Sequence, residues 1–516
     1  METEMPLRSD DRFVLLRAVA TAVLLSTMAL LNFYAANMSA LAGPSRVLQY
    51  AAGIMAIAAV LSVCLALLLR KVPPWRIVLA VGLTVFVFFA YRVELVEYEM
   101  KGRFGDWAAI AWTVMAIATG IGALIVIRRP ALVTIALVAS LAFAALPVTR
   151  IATALVKEQR APRPVPGAGE PAMKLTMSPN IYWIVLDAYP RQDVLKEDFS
   201  FDNSGFLASL GAKDFTVFRN ARSNFPATAN SISSTANADY TVEGEGKDLK
   251  AFPLERLYPL VRGKNRTVAR LTSAGYSYVH FENGYDNLTK CAFDGPRCLR
   301  GNVGLDEMDV AILSNTPIID LIIGRRQSPF AWGGVDDLTR LLNEVQATPS
   351  PFFLYAHILV PHIPFRFTAD CGFRSAAPDL QRWDPASRPA FLDQLRCTNS
   401  QTLTLVDKIV TSDPDALIIL QSDHGTDFRG QTKRSPSTWS DADLHERFGV
   451  LNAIRLPKQC RAAAPDDITL IDTFPLVFAC LTGGAFEPRQ PRFFVTPYDD
   501  MPDFGDAVEF PAERVR

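Results

Sequence analysis

The 516-residue sequence lacks several features that would assign it to a common functional class. Its 52 basic and 53 acidic residues nearly cancel, so no excess of positive charge points to nucleic acid. It has no Cys-x-x-Cys pair, which argues against a zinc site built from thiolates. It also has no nucleotide-binding glycine loop and no internal repeat. What is present is a sharp division: Ala, Leu, Val and Ile dominate residues 1–150, whereas the later sequence has globular composition and all five histidines.

The cysteines follow the same division. Cys64 stands alone in an apolar run, where it is expected to pack as a small hydrophobic side chain. The other six lie in the second half as near neighbours: Cys291, Cys298, Cys371, Cys397, Cys460 and Cys480. An even set of this kind predicts disulfides in an oxidising compartment, with Cys291–Cys298 the tightest candidate. Six free buried thiols are the alternative.

Five apolar stretches predict transmembrane helices, because crossing ~30 Å of hydrocarbon takes roughly 20 residues. They are residues 13–34, 47–69, 74–91, 107–127 and 130–148. The third is short and carries Arg76 near its start. Lys and Arg concentrate before the first stretch, between the second and third, and between the fourth and fifth, which predicts a cytoplasmic N terminus. An odd number of spans then places the C-terminal half outside the cytoplasm, in agreement with the cysteines.

Two alternatives concern this membrane half. Ala40-Leu41-Ala42 resembles a signal-peptidase site, but the apolar stretch before it is long for a signal peptide, so an uncleaved anchor is favoured. Cleavage would leave four spans and the same outside placement. A transporter is disfavoured because the spans lack internal ionisable residues of the kind that mark transport pathways.

The domain organisation follows from these segments. Residues 1–150 are predicted to form the membrane domain and 179–516 the extracytoplasmic catalytic domain. The connection at 151–178 is rich in Pro, Gly and charge from residue 157 onward, which is typical of a solvated tether.

The second half alternates short apolar runs with helical patterns. Runs at 180–188, 276–282, 352–360, 416–425 and 448–456 predict buried strands, and 336–346 and 389–412 predict helices. This alternation predicts an α/β/α sandwich with a largely parallel sheet. Ligands bind beyond the carboxyl ends of the strands in such sheets, so the residues that follow each strand are the informative ones.

Metal-ligand residue types occupy these strand ends. Asp187 follows the first predicted strand, His357 and then His362 end another, and Asp423 and His424 follow a third. His445 precedes the last strand. One histidine alone is more often structural, but four placed in this way beside carboxylates predict a divalent-metal site. Imidazole together with carboxylate suits Zn²⁺, with Mn²⁺ or Mg²⁺ as alternatives.

The segment 223–239 supplies a candidate nucleophile. A helix is predicted to begin near Thr228, whose hydroxyl would face the positive end of that helix, a favourable place for a phosphoryl group. A metal bound to the hydroxyl would lower its pKa and activate it. The equal alternative is that Thr228 only caps the helix.

At this point the motifs resemble a known family. LDAYPR (186–191), SNFPATANS (223–231), HILVPHIP (357–364), SDHG (422–425) and HERFGVLNA (445–453) resemble the sulfatase-like branch of the alkaline phosphatase superfamily. The resemblance covers about residues 178–485. The anchor followed by an extracytoplasmic domain also looks like that of lipoteichoic acid synthases and lipid A phosphoethanolamine transferases.

The resemblance implies a role for each site residue. Asp187, Thr228, Asp423 and His424 would hold the metal, with His445 as a further ligand whose offset from the next strand differs from that of the family. Thr228 would also be the nucleophile. His362, with His357, would bind phosphoryl oxygens, protonate the leaving group or hold a second metal. Sulfatases use Cys/Ser-x-Pro-x-Arg, and the corresponding segment here has neither the cysteine nor the arginine, so phosphoryl chemistry is favoured over sulfate ester hydrolysis.

The predicted function is a membrane-bound phosphotransferase of the bacterial inner membrane with a periplasmic catalytic domain. It would move phosphoethanolamine or phosphoglycerol from a phospholipid donor to a glycan or lipid acceptor through a phosphothreonine. A membrane-tethered phosphodiesterase or phosphatase is the first alternative. A non-catalytic member that binds a glycan or a partner protein is the second.

Overall fold

The computed structural model describes residues 9–38, 44–91, 107–160, 173–283, 288, 290–291, 297–301, 305, 307–322, 333–374, 382–460, 463–496 and 507–516. The chain divides into two compact units. The first comprises Met1–Arg163 and Glu307–Arg325, and the second comprises Pro164–Asp306 and Arg326–Arg516. The sequence predicts two domains that follow one another along the chain. It does not predict that residues 307–325 belong to the first unit. The possible cleavage site at 40–42 and residues 161–172 of the predicted connection lie outside the described residues. The helix Pro130–Arg160 continues past residue 151, where the connection was predicted to begin.

The first unit is a bundle of apolar helices. They are Ser9–Asn37, Ser45–Leu68, Pro74–Phe88, Ala108–Val126 and Pro130–Arg160. Four of them are long and apolar enough to cross a membrane, by length and composition. The third, Pro74–Phe88, has 15 residues, which at 1.5 Å per residue is about 22 Å. Five transmembrane helices were predicted, and four of the five helices are long enough to span a membrane.

The short third helix nevertheless extends between the two ends of the bundle. At its start, Trp75 packs with Ala18 near the beginning of the first helix. Just beyond its end, Tyr91 packs with Ala109 and Trp112 at the beginning of the fourth. The chain therefore changes direction both before and after this helix.

The second unit is built on a seven-stranded sheet. Its strands are β1 Ile181–Leu186, β2 Phe215–Val217, β5 Ser277–Glu282, β6 Arg297–Arg300, β7 Phe352–Ile358, β8 Leu417–Gln421 and β9 Asn452–Arg455. Their order across the sheet is β2-β9-β8-β1-β7-β5-β6. β1 pairs in parallel with both β7 and β8, while β9 is antiparallel to β8 and β2. The largely parallel α/β architecture is confirmed, and all five predicted strands are present. β2 and β6 were not predicted.

Helices and two small ladders complete this unit. Before β7 the helices are Gln192–Phe199, Ser204–Gly211, Thr228–Asn237, Leu254–Val261, Arg266–Ser273, Val335–Arg340 and Leu342–Gln346, and after it Arg388–Ser412, Asp441–Phe448 and Thr473–Thr482. The ladders pair β3 Val242–Glu243 with β4 Lys250–Ala251, and β10 Phe493–Val495 with β11 Val508–Phe510. The region predicted as one helix at 336–346 is thus two short ones. Two further helices, Glu307–Leu313 and Ile318–Ile322, belong to the first unit.

Each face of the sheet buries its own apolar core. Because successive side chains of a strand point to opposite faces, odd-numbered residues of β1, β7 and β8 such as Trp183, Tyr355 and Ile419 share one core. Even-numbered residues such as Ile184, Leu354 and Ile418 share the other. The helix Thr228–Asn237 packs Ile232 and Ala236 into the odd-numbered core, so this face is the one that carries the site.

Three disulfides stabilise the second unit: Cys291–Cys298, Cys371–Cys397 and Cys460–Cys480. They confirm the disulfides that the cysteine pattern predicts, including the Cys291–Cys298 pair. Cys64 is free and exposed on the second membrane helix.

Candidate active site

The carboxyl ends of three adjacent strands bring the predicted acidic and histidine residues together. Asp187 directly follows β1, His357 is the last odd-numbered residue of β7, and Asp423 lies two residues after β8. All three continue the odd-numbered face, since their positions keep the parity of the strands that precede them. Their ligand atoms lie within 4.8 Å of one another, and all three residues are buried.

His424 completes this group. Its Nε2 lies 3.3 Å from Oδ2 of Asp423 and 3.7 Å from Oδ1 of Asp187. On the other side of the cluster, Nε2 of His357 lies 3.2 Å from Oδ2 of Asp187. The cluster therefore places two carboxylates between two imidazoles.

The tautomer of His424 shows what the cluster can bind. Its Nδ1 lies 2.9 Å from the carbonyl oxygen of Gly425, which can only accept, so Nδ1 carries the proton and Nε2 presents a lone pair. That lone pair faces carboxylate oxygens, which are also acceptors. Oδ1 of Asp187 and Oδ2 of Asp423 are buried without a hydrogen-bond partner among the described residues. Buried acceptors that face one another fit a cation, and a divalent metal with mixed nitrogen and oxygen ligands suits this donor set.

The electrostatics of the four residues agree with this geometry. Burial opposes ionisation of Asp187, but the nearby His362, His357 and His424 outweigh it and hold the pKa of its carboxyl below the ordinary value. Burial and the charge of Arg447 lower the pKa of His424 to about 4, so it is neutral at physiological pH. The pKa of His357 is raised, because the hydrogen bond and charge of Asp187 outweigh its burial.

Thr228 adds a hydroxyl to the group. It is the first residue of the helix Thr228–Asn237, and its Oγ1 lies 3.0 Å from Nε2 of His424. The residue in the capping position is Ala227, which has extended backbone. Thr228 is thus not the N-cap, and its side chain points to the metal-ligand group. Thr228 lies at the helix start, where the first N–H groups have no acceptor within the helix.

Two loop features hold Asp423 and His424 in place. Ala188, directly after Asp187, has a φ of 57° and donates its N–H to Oδ1 of Asp423 at 3.2 Å. An alanine in this left-handed region costs roughly 1 kcal/mol, which is typical of a functional turn. A Cβ on Gly425 would lie 1.9 Å from the carbonyl oxygen of Glu446, so the loop after His424 requires glycine.

Arg447 is a residue of this site that the sequence analysis missed. Its side chain is 3% exposed. Nε donates to the carbonyl oxygen of Pro226 at 2.8 Å, and Nη1 donates to that of Gly425 at 2.5 Å. It therefore joins the loop before Thr228 to the loop after His424. The only sequence signal was its position in HERFGVLNA, two residues after His445.

Comparison with known proteins identifies the family. The sequence model of the Sulfatase family matches residues 179–481. The chain belongs to the sulfatase family. Its second unit is accordingly an enzyme domain of the alkaline phosphatase superfamily, of the phosphotransferase and hydrolase class, and such domains bind a divalent metal. A search of curated proteins found no significant match.

Solved structures were compared as well. The C-terminal periplasmic domain of EcEptC from Escherichia coli, in complex with Zn, is 12% identical with a TM-score of 0.42, over 65% of this chain and 96% of that one. Lipooligosaccharide phosphoethanolamine transferase A from Neisseria meningitidis, an integral membrane protein, is 12% identical with a TM-score of 0.40, over 90% and 95%. The phosphonate monoester hydrolase of Agrobacterium radiobacter is 14% identical with a TM-score of 0.38, over 63% and 81%.

The two remaining predicted site residues of this sulfatase-family chain lie in different places. The His362 ring is 6.1 Å from that of His424, centroid to centroid, and packs edge-on against Trp383. Its Nδ1 donates to the carbonyl oxygen of Ile363 at 2.8 Å, which leaves Nε2 for a ligand. His445 is not brought to the cluster: its Nε2 lies 3.6 Å from carboxylate oxygens of both Asp193 and Glu197. His445 lies within the helix Asp441–Phe448, so this helix, and not the end of a strand, sets the direction of its side chain.

Proposed function

We propose that this protein is a membrane-bound, metal-dependent phosphotransferase that carries a substituted phosphoryl group on Thr228. The observation that carries the proposal is the position of the Thr228 hydroxyl, at a helix N terminus and 3.0 Å from Nε2 of His424. A threonine with only a structural role would not need to direct its hydroxyl into a cluster of metal-ligand side chains. The lack of Cys and Arg in residues 223–231 supports phosphoryl over sulfuryl transfer.

Residues Asp187, Asp423, His424 and Thr228 would hold the metal, with His357 beside Asp187. A divalent ion there, for which Zn²⁺ is our assignment, would lower the pKa of the Thr228 hydroxyl and neutralise charge on phosphoryl oxygens. Neutral His424 presents its lone pair to this position because its other nitrogen is bound to Gly425. His357 holds Asp187 in place through the 3.2 Å contact.

The first half-reaction transfers the headgroup phosphate to the enzyme. Thr228 Oγ1, having lost its proton to water, forms a bond to phosphorus of the phospholipid. The bond between phosphorus and the diacylglycerol oxygen breaks, and protonated His362 donates a proton to that oxygen from Nε2. The free N–H groups at the start of the helix Thr228–Asn237 stabilise the phosphoryl oxygens.

The second half-reaction regenerates the hydroxyl. An acceptor alcohol on a glycan or lipid loses its proton to neutral His362 and forms a bond to phosphorus. The bond between phosphorus and Thr228 Oγ1 breaks, and Oγ1 takes back from water the proton that it lost in the first half-reaction. The protein residues thus return to their starting states. Phosphoethanolamine and phosphoglycerol fit this scheme equally, because neither headgroup takes part in the bonds that change.

The membrane unit supports a phospholipid as the donor. Its apolar helices would hold the chain in the bacterial inner membrane, and the disulfides support an oxidising compartment, the periplasm, for the catalytic unit. A lipid donor would then be supplied from the membrane that anchors the enzyme.

The test uses purified full-length protein with fluorescent phosphatidylethanolamine or phosphatidylglycerol, a divalent metal and an added glycolipid. We expect metal-dependent release of diacylglycerol and appearance of the headgroup phosphate on the glycolipid. Thr228→Val should abolish both, whereas the matched Thr235→Val should retain them, because the Thr235 hydroxyl bonds within its own helix to the Ser231 carbonyl. Release of free headgroup phosphate, with none on the glycolipid, would identify a hydrolase instead. Unchanged release by Thr228→Val would rule out the threonine mechanism.

A further inference from the structure

Two short helices of the later sequence pack with the membrane helices. Glu307–Leu313 and Ile318–Ile322 belong to the first unit, although the sequence on both sides of them belongs to the second. We call residues 307–322 the returning segment. Its attachment involves the end of the bundle where the first helix finishes and the second begins.

Polar contacts anchor the first helix of the returning segment. Asp309, whose side chain is 4% exposed, accepts hydrogen bonds from Nε and Nη2 of Arg46 at 3.1 and 2.8 Å. The hydroxyl of Tyr50 donates to the same carboxylate at 2.9 Å. A buried carboxylate with a bidentate arginine and a third donor is well satisfied, so this contact fixes position and orientation.

Apolar contacts support the same helix. Met308 and Ile312 are 2% and 1% exposed and form one cluster with Leu30 and Val47 of the first two membrane helices. The second short helix is held by Tyr91, whose hydroxyl donates to Oδ2 of Asp320 at 2.7 Å. The returning segment is therefore attached to the bundle at both of its helices.

The returning segment ends in two exposed apolar residues. Leu321 is 46% and Ile322 is 78% exposed. Among the described residues outside the five membrane helices and Trp107, the other exposed large hydrophobic side chains are Leu69, directly after the second membrane helix, and Phe373. Single exposed apolar residues are common, but this adjacent pair lies on a helix that contacts the membrane helix Ala108–Val126. That membrane helix is preceded by Trp107, which is 69% exposed and of the type enriched at membrane interfaces.

We infer that the returning segment is an interfacial membrane-contact element, with Leu321 and Ile322 inserted at the boundary between lipid headgroups and acyl chains. The described residues 307–322 include no Lys or Arg, and Asp309 and Asp320 are bound by Arg46, Tyr50 and Tyr91. The contact made by Leu321 and Ile322 themselves is therefore apolar. The inference does not depend on the chemistry of Thr228. It adds a second point, beside the N-terminal anchor, at which the chain that carries the catalytic unit meets the bilayer.

The experiment measures the depth of single labels in the full-length protein. In a Cys64→Ala background, Ile322→Cys carries an environment-sensitive fluorophore, and the protein is placed in phosphatidylcholine nanodiscs. Ala208→Cys, at an exposed position on the helix Ser204–Gly211 of the second unit, is the matched control. Quenching by lipids with a nitroxide near the top of the acyl chain is compared with quenching by aqueous iodide, after checking that the thermal midpoint of each variant is unchanged.

We expect several-fold stronger quenching by the lipid nitroxide at position 322 than at 208, and the reverse order with iodide. Adding Asp309→Asn should increase iodide quenching at 322, because the contact with Arg46 is weakened. Equal iodide quenching at 322 and 208 would overturn the inference. No effect of Asp309→Asn would overturn the anchoring role of that residue.

Discussion

The hydroxyl oxygen of Thr228 lies 3.0 Å from Nε2 of His424, and both atoms belong to residues at the edge of one buried carboxylate cluster. The two residues are 196 positions apart in sequence and are carried by a helix start and a strand end. Their alignment therefore depends on groups that hold the two loops together.

Removing the Arg447 guanidinium should disturb that alignment. Arg447→Met loses the bonds to the carbonyl oxygens of Pro226 and Gly425. We expect turnover to fall about 100-fold, because small displacements of reacting groups are costly. Stability should fall by about 2 kcal/mol, since buried carbonyl groups lose their donors. Turnover per folded molecule and the unfolding midpoint are the measurements.

Arg455 offers a matched control for Arg447. It is also a buried arginine that binds backbone carbonyl oxygens, those of Ala416 and Pro414, but it lies on β9 away from the cluster. Arg455→Met should lower stability to a similar extent and leave the turnover of the folded fraction unchanged. Equal turnover in the two variants would show that Arg447 is only structural.

Two buried histidines on neighbouring strands should differ in their effect on metal binding. His357 contacts Asp187, whereas His280 on β5 is bonded through Nδ1 to the hydroxyl of Tyr278. We expect His357→Gln to weaken metal affinity about 10- to 100-fold. His280→Gln should change stability only. Metal titrations followed by calorimetry would distinguish them, and equal affinities would argue against a role for His357 at the metal.

Asp472 should make the protein less stable as the pH rises from about 4 to 6. Its burial raises the pKa of its carboxyl from 3.8 to about 6, so the folded state holds this proton more tightly than the unfolded state does. An acid with a raised folded pKa costs stability once it ionises, and the cost is complete above pH 6. Asp472→Asn should therefore raise the unfolding midpoint at pH 7, with a gain that disappears toward pH 4. The exposed Asp441, paired with Arg514, is the control, and its Asn variant should show no such gain.

The Cys371–Cys397 disulfide should contribute to stability in a way that Cys64 does not. The bond closes a segment with a sequence separation of 26, and loss of such a bond costs about 3 kcal/mol. Replacing both cysteines by Ala should lower the unfolding midpoint strongly. Cys64→Ala, which removes an exposed free thiol, should leave it unchanged. Equal midpoints of the double variant and wild type would show that this bond does not form in the native protein.

Much of the fold was predictable because it depends on local patterns. Continuous apolar runs identify β1, β7 and β8, and residues at the ends of adjacent parallel strands must meet at one edge. The helix start at Thr228 also follows from the local sequence. Strand β6 has only four residues, with arginines at both ends, so its composition gives no strand signal.

The remaining features depend on contacts between residues far apart in the sequence. The hydrophobic periodicity of a local segment does not reveal such contacts. Arg447 contributes through two carbonyl groups in loops brought together by the whole sheet. The returning segment resembles an ordinary pair of short helices, and its contacts with membrane-half residues such as Arg46 and Tyr91 reveal where it packs. His445 is separated from the cluster because one helical turn carries its ring toward Asp193.

The most direct measurement of the central claim is the mass of the enzyme after reaction with the donor lipid alone. Full-length protein loaded with Zn²⁺ is mixed with phosphatidylethanolamine or phosphatidylglycerol without acceptor, quenched in acid and mapped by mass spectrometry. The account predicts a headgroup phosphate on Thr228 in wild type and in Thr235→Val, and none in Thr228→Val. An adduct on another residue, or diacylglycerol release with equal rates in wild type and Thr228→Val, would contradict it.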